Sequence, residues 1–421
     1  MKTSPGSLAA AGPRLGAALI LVLLSAQAWA DSIADLVAEV DQRRIRDHIA
    51  TLDYPRNTYG AMAIAVDYIV EEFESYGYTV TLQPVLGSEN VIARLEGATS
   101  PEEVLVLGAH FDTVANTPGA DDNSSGVAAL LEIARVLADE PLARSVEFVA
   151  FTLEEPGTVG SHYYVLDAVA DGMDVVGMFC FDMIGYTCPT PGCQYPVYDS
   201  AGCLDVEPSG VNVGNYILAL VNTASQDLLT TFSAAAETYV PELIVVTAVV
   251  AGNGACDFFT RRSDHREFWD VGYPAIEFYD TYGSRNPYYH TPGDSLGILD
   301  MPFCWRVTQA TLASMLMTDV TAAPDGAAGA ALAGLDLYPN PFNPQASVRF
   351  QLTADGPIAL RVYDPAGRLV RDLAGGDWPA GSHELLWDGR DDAGDPAASG
   401  VYLIRLDHAE GGVARKGILL R

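Results

Sequence analysis

Apolar residues open the chain at helical spacing. Residues 31–80 read as helices, and within them GAMAIAVDYIVEEFESYGY (60–78) keeps its apolar positions on one face until Gly77 stops it. The period then shortens. EEVLVLGAHFD (102–112), SVEFVAFTLEE (145–155), DVVGMFCFDMIGY (174–186) and YPAIEFYDT (273–281) are short, nearly unbroken apolar runs, each closed by charged residues. Such runs predict strands buried on both faces, and SSGVAALLEIARVLADE (124–140) between two of them predicts an amphipathic helix started by Ser124. Strand–helix alternation of this kind points to an α/β sheet. After an Ala/Gly/Pro-rich linker (TAAPDGAAGAALAGLD, 321–336) the texture changes again. SVRFQL, IALRVYD, HELLWDG and VYLIRLD are short strands separated by turns such as 364–367 and 391–394, predicting a small β-sandwich of roughly 85 residues. No internal repeat is evident.

Composition narrows the partners. With 23 basic and 55 acidic side chains the 421-residue chain carries a formal charge of −32, which argues against nucleic acid and anionic membrane surfaces. Lys2 and Arg14 precede the uncharged stretch 15–30, which ends Ala28-Trp29-Ala30, the small-x-small pattern of a signal-peptidase site. That stretch is shorter than the about 20 residues of a bilayer span. The expected product is an exported protein beginning near Asp31, extracellular or on a bacterial cell surface (periplasmic if its C-terminal segment is not a sorting domain), with no stable transmembrane anchor. Export makes the six cysteines candidates for disulfides, in a pairing that spacing leaves open. A cysteine metal site is the rival reading, weakened by the absence of any CxxC pair.

The chemistry gathers where the strands end. The first closes at His110 and Asp112 with Asp121 just beyond, the second at Glu154-Glu155, the third at Asp182, and His290 follows the last in NPYYHTPGD. Open α/β sheets bind ligands outside the carboxyl ends of their strands. Two divalent ions held close together need an anionic bridge, and one Asp carboxylate supplies it with its two oxygens. Each ion then takes about two further ligands and keeps a position open for water. His110, Asp182, Glu155 and His290 around a bridging Asp121 meet that count, and imidazole with carboxylate suits zinc. Glu154, pointing opposite to Glu155, is free to act as general base. Ser124 reads as a helix cap and not a nucleophile, because no G-x-S-x-G elbow exists. His265 either lines the pocket or is structural. His48, His162, His383 and His408 lack companions and read as surface or packing residues.

The series GAHFDT, GADDNSSG, LEEPG, FDMIGY, SDH and YYHTPGD resembles the exported dinuclear-zinc aminopeptidase family, which also includes glutamate carboxypeptidases and glutaminyl cyclases. The likeness spans roughly residues 40–320. It implies a phosphorylase/hydrolase-like three-layer α/β/α sandwich with a mostly parallel mixed sheet. It also implies two Zn²⁺ per chain: His110 and Asp182 on one, Glu155 and His290 on the other, Asp121 shared, and Glu154 as the catalytic acid/base. Asp112 would orient the His110 ring and Asp264 that of His290. The family commonly has a cis peptide after the bridging Asp, which places it at Asp121–Asp122. Pro156-Gly157 after the Glu pair and the Cys-bearing insert at 186–205 depart from the family pattern. LYPNPFNP, VYDPAGRLVRDL, HELLWDGRDDAG and ASGVYLIRL resemble the Ig-like C-terminal sorting domains of bacterial type IX secretion, relatives of the flagellar hook-cap Ig-like module, which implies export machinery as a partner.

The expected organisation is a signal peptide (1–30), a zinc exopeptidase domain (31–322), a linker (323–334) and an Ig-like sorting domain (335–421). The expected activity is metal-dependent removal of N-terminal residues from peptides. Three rivals stay open. A carboxypeptidase or dipeptidase would need an arginine cluster, for which Arg261, Arg262 and Arg285 are candidates. A glutaminyl cyclase would keep one metal. An exported surface or adhesion protein would be catalytically inert.

Overall fold

Four central strands run parallel and end on one edge of a nine-stranded sheet, so the charged residues that close each apolar run arrive together. This computed structural model describes residues 32–193, 203–208, 212–254, 258–280, 286–320, 332–338, 342, 344–352, 355–363, 368–398, 400–408 and 411–419. The expected signal peptide and the turn at 364–367 lie outside the described residues. The chain divides into two compact units, Met1–Thr321 and Ala322–Arg421.

Helix α1 (32–38) leads the first unit, followed by α2 (Gln42–Thr51) and α3 (Tyr59–Ser75). Asp41 and Thr58 cap the latter two, their side chains accepting from the amides of Arg43 and Ala61. Gly77, at φ 92°, turns the chain out of α3. An antiparallel hairpin, β1 (Thr79–Val85) and β2 (Ser88–Leu95), forms one sheet edge. Then come β3 (Ser100–His110), α4 (Gly126–Leu137), β4 (Arg144–Phe151), α5 (Val159–Ala170) and β5 (Asp174–Phe181). The unit continues with β6 (Leu204–Glu207), β7 (Tyr216–Asn222), α6 (Gln226–Tyr239) and β8 (Ile244–Val250). It closes with α7 (His265–Val271), β9 (Ala275–Tyr279) and α8 (Met301–Val320).

Strand order is β1-β2-β4-β3-β5-β9-β7-β8-β6. β4, β3, β5 and β9 are parallel, with His110 opposite Phe151, Ala109 opposite Phe181, and Phe181 opposite Phe278. This register puts the first residues beyond each strand on one rim. The sheet is buried on both faces. Leu105, Leu107 and Ala109 pack with α2, α3, α4, α6 and α8, whereas Val104 and Val106 pack with α5 and α7. Phe148, Phe151, Phe179 and Phe181 are fully buried, each stabilising the fold by about 1.5–3 kcal/mol relative to exposure.

The helix after β3 differs from its expected form. Ser124 is not its cap: Ala120–Ser125 wind a turn of their own, and α4 begins at Gly126. α4 keeps its charged pair, Glu132 and Arg135, on one side as an amphipathic helix does, but packing buries all of its residues except Arg135. A Cβ at Gly126 would lie 2.9 Å from Phe181 Cβ, so a larger residue there would force the helix start off β5.

In the second unit β10 (Leu332–Tyr338), β11 (Ala346–Leu352) and β14 (Gly381–Trp387) form one antiparallel sheet. β13 (Leu369–Trp378), β12 (Gly356–Tyr363), β15 (Gly400–His408) and β16 (Gly411–Leu419) form another. Val348, Leu360, Trp387, Ile404 and Leu406 are fully buried in the core. β10 starts at Leu332 and takes in the last residues of the segment expected to be linker.

Candidate metal centre

Two ligand triads meet at one carboxylate. His110, Asp122 and Asp182 form one, and Asp122, Glu155 and His290 the other; within each, the ligand atoms lie no more than 4.8 Å apart. Asp122 divides its oxygens: Oδ1 is 3.3 Å from His110 Nε2, and Oδ2 is 3.1 Å from His290 Nε2. Glu155 Oε2 is 3.3 Å from His290 Nε2, and Asp182 Oδ1 is 3.8 Å from His110 Nε2. Ligands about 2.0–2.1 Å from a tetrahedral ion stand about 3.3 Å from one another, so this donor set fits zinc.

The carboxylate the two triads share is therefore that of Asp122, and not that of Asp121 as expected. The Asp121 carboxylate turns the other way, where Oδ1 accepts the Gly185 amide (3.0 Å) and Oδ2 accepts from Asn286 Nδ2 (2.7 Å). Neighbouring side chains on non-helical backbone diverge, and Asp122 and Asn123 both leave helical φ/ψ here. The cis peptide follows the same one-residue correction and lies at Asp122–Asn123, not at Asp121–Asp122.

Surrounding groups hold the loop. Asp294 accepts the amides of Asp121 (2.9 Å) and Asp122 (3.1 Å). Arg56 is wholly buried, and its guanidinium donates to the carbonyls of Leu52, Tyr54, Phe111, Pro118 and Gly119. Neither was a candidate from the sequence, because each acts on backbone groups, several of them remote in the chain. Asp112 does more than face His110, whose Nδ1 lies 3.2 Å from the Asp112 carbonyl and 3.6 Å from its Oδ1. Its carboxylate also accepts the amides of Glu154 (2.9 Å) and Glu155 (3.2 Å), locking the glutamate pair in place. With Nδ1 facing a carbonyl, His110 presents the Nε2 lone pair to the triad. Leu153, Met183 and His290 hold φ of 53°, 60° and 57°, so three residues at the rim occupy the left-handed region.

Glu154 belongs to neither triad; its Oε2 stands 4.0 Å from His110 Nε2. Burial pushes its pKa well above the usual range, with the charges of Asp182, Asp264 and Glu155 adding to the push and His110 opposing it. Asp264 does not contact His290 among the described interactions. It is buried near His110, and burial raises its pKa to about 7 despite the pull of that imidazole. Arg261 is engaged with Asp270 (2.6 Å), and Arg285 lies outside the described residues.

Metal-free, the cluster collects protons. Burial, followed by the Asp122 charge, lifts Glu155 to about 7, and burial likewise lifts Asp294 to about 7. Burial opposes the charged form of both imidazoles, yet Asp112, Asp122 and Asp182 raise His110 well above its ordinary value, and Asp122 and Glu155 raise His290 to about 10. Burial also opposes ionisation of Asp122, but bonds to His110 and His290 hold its pKa below the normal range.

The sign of the pH effect follows. Carboxyls raised in the fold stabilise it fully below their unfolded pKa near 4, and that contribution is lost as pH rises through about 7. The raised imidazoles lose theirs as pH climbs toward about 10, while Asp122, being depressed, contributes steadily above pH about 4. Chelator-stripped protein should therefore lose roughly 5 °C or more in Tm between pH 5 and 8. The zinc-loaded form should not share that loss, since the cation replaces the protons. Calorimetry showing a Tm of the stripped form that rises over this range would contradict the cluster.

Residues 90–315 match the model of peptidase family M28, and residues 339–412 match that of the FlgD Ig-like domain. The Escherichia coli K12 protein YfbL is 32% identical over 255 residues, covering 55% of this chain and 72% of YfbL. A probable zinc metalloprotease of Pyricularia oryzae is 28% identical over 349 residues, covering 69% of this chain and 67% of the relative. Among solved structures, the Legionella pneumophila LapA aminopeptidase shares the fold with a TM-score of 0.55 at 20% identity, covering 69% of this chain and 75% of LapA. Among the described residues, no helix is long and apolar enough to cross a membrane.

Proposed function

The chain belongs to peptidase family M28, a zinc aminopeptidase-type family, and from that premise we propose that it is an exported two-zinc aminopeptidase. In this reading its catalytic domain is a three-layer α/β/α sandwich. The observation that carries the reading is the pair of triads sharing Asp122, with Glu154 beside them and outside both. His110 and Asp182 would hold one ion, Glu155 and His290 the other, and Asp122 both. Zinc, when bound, supplies Lewis acidity for the scissile carbonyl and for a water.

The chain's own residues do the rest. Glu154 removes a proton from the attacking water at a carboxylate oxygen, then delivers it to the departing amine. Asp112 keeps the His110 ring and the Glu154–Glu155 backbone in register, so the base cannot drift from the metal ligands. Export is supported by the 15–30 segment and by the Cys188–Cys193 disulfide, and the FlgD-like module would serve as the sorting address.

Zinc analysis of the purified protein beginning at Asp31, together with a panel of aminoacyl-p-nitroanilides, tests the proposal. The expected result is two zinc ions in this centre and hydrolysis that disappears when the α-amine is acetylated. Turnover of N-blocked peptides from the carboxyl end alone would replace it with the carboxypeptidase reading.

A further inference from the structure

One layer beneath the metal centre lies a second group of metal-binding side chains that the proposed chemistry does not use. Cys180 and Glu277 sit directly opposite each other on β5 and β9, and His265 opens α7 above them. Their ligand atoms lie within 4.8 Å of one another, and all three residues are fully buried. Cys180 lies on the face of β5 that packs against α5 and α7, two residues before Asp182.

The geometry of this group specifies its occupant. His265 Nε2 lies 3.0 Å from the Thr260 carbonyl, which only accepts, so that nitrogen carries the ring proton. Nδ1 is left as the ligand atom, 2.6 Å from Glu277 Oε2, and the edge of Trp269 fixes the ring (centroids 4.4 Å apart, 81° between planes). A metal-bound imidazole usually has this arrangement, with its other nitrogen donating to a carbonyl. Besides that ring nitrogen, the buried Glu277 carboxylate has only neutral hydroxyls beside it, those of Tyr279 and Ser263, and no cationic side chain pairs with it among the described residues. The Cys180 thiol has only the Ser263 hydroxyl, 3.7 Å away. A single shared proton would serve Nδ1 and one carboxylate oxygen, but it would leave the Cys180 sulfur, which is turned toward the same point, without a role. A divalent cation serves all three, and with a thiolate, a carboxylate and a neutral imidazole it makes a site of zero net charge where no water reaches.

We propose that Cys180 Sγ, His265 Nδ1 and the Glu277 carboxylate form a third, closed cation site for zinc, separate from the open pair. Mixed sulfur, nitrogen and oxygen ligands at low coordination suit zinc, and closed surroundings mark a structural ion. Its place, bridging β5 and β9 under Asp182 and α7, would fasten the two strands that end at the metal centre.

Cobalt(II) reconstitution of the full mature chain tests this, since the open pair has no sulfur ligand. The expected result is three equivalents bound, with a thiolate-to-cobalt charge-transfer absorption in the near ultraviolet. Cys180→Ser should abolish that absorption and lower the stoichiometry by one, whereas Cys304→Ser, removing the other reduced buried thiol described, should keep both. Two equivalents without the absorption would overturn the third site and leave the paired-zinc reading standing. One equivalent with the absorption would uphold the closed site and remove the paired reading instead. If Cys180→Ser fails to fold, the wild-type spectrum decides alone.

Discussion

Glu154→Gln is expected to lower kcat/KM by roughly 10²–10⁴-fold while the zinc content stays unchanged. Glutamine keeps the shape of the side chain and loses only its capacity to take up a proton. Glu154 contributes no atom to either triad, and its backbone amide is held by Asp112 whatever the side chain carries. The substitution therefore isolates proton transfer from metal binding. Burial, reinforced by Asp182, Asp264 and Glu155, makes the group a stronger base than an exposed glutamate. Bound cations would lower that proton affinity toward neutrality, where a base that must also release its proton is most effective. The acidic limb of the kcat/KM profile should thus belong to Glu154 and vanish in the variant. Activity within tenfold of the parent, with zinc bound, would remove Glu154 from the mechanism.

Where the sequence was legible, one physical rule made it so. An unbroken apolar run that ends in charge has few readings other than a buried strand arriving at a polar rim. β3, β4 and β5 end at His110, Phe151 and Phe181, each within a few residues of the charged groups that closed its run. The two imidazoles and the carboxylates of Glu155 and Asp182 come together with that rim. What local pattern could not resolve was direction over a single residue. Asp121-Asp122 offers two identical carboxylates, and the choice between them is made by Asp294 and Asn286, 173 and 165 residues away from Asp121. Arg56 is hidden for the same reason, because carbonyls carry no residue identity. The role that the resemblance implied for Asp264, orienting the His290 ring, does not appear among the described interactions; its charge interacts with His110 instead. In the second unit β13 escaped notice, since Gly375 and Gly376 interrupt the apolar alternation that marks a strand. Cys180 escaped as a possible ligand because its companions are opposite it across the sheet and not spaced along the chain.

The adjacent aspartates provide the sharpest test of the centre. Asp122→Asn should release both zinc ions and abolish activity, whereas Asp121→Asn should keep both. Two dications a few ångströms apart repel by on the order of 10–20 kcal/mol at an effective dielectric near 20, and a shared anionic oxygen pair offsets much of that. Asparagine at 122 would leave one neutral oxygen and turn an amide toward His110 or His290. Asparagine at 121 faces a different demand. One of its termini would still accept from Gly185 or Asn286, while the amide end would meet another N–H donor. That mismatch is expected to reduce stability by about 1–3 kcal/mol through one unsatisfied buried group, without removing a ligand. Zinc analysis after dialysis, paired with thermal denaturation, separates the outcomes: metal loss with Asp122→Asn, and a lower Tm with metal retained for Asp121→Asn. The reverse pattern would return the bridge to Asp121 and require the loop Ala120–Ser125 to turn its carboxylates by one residue.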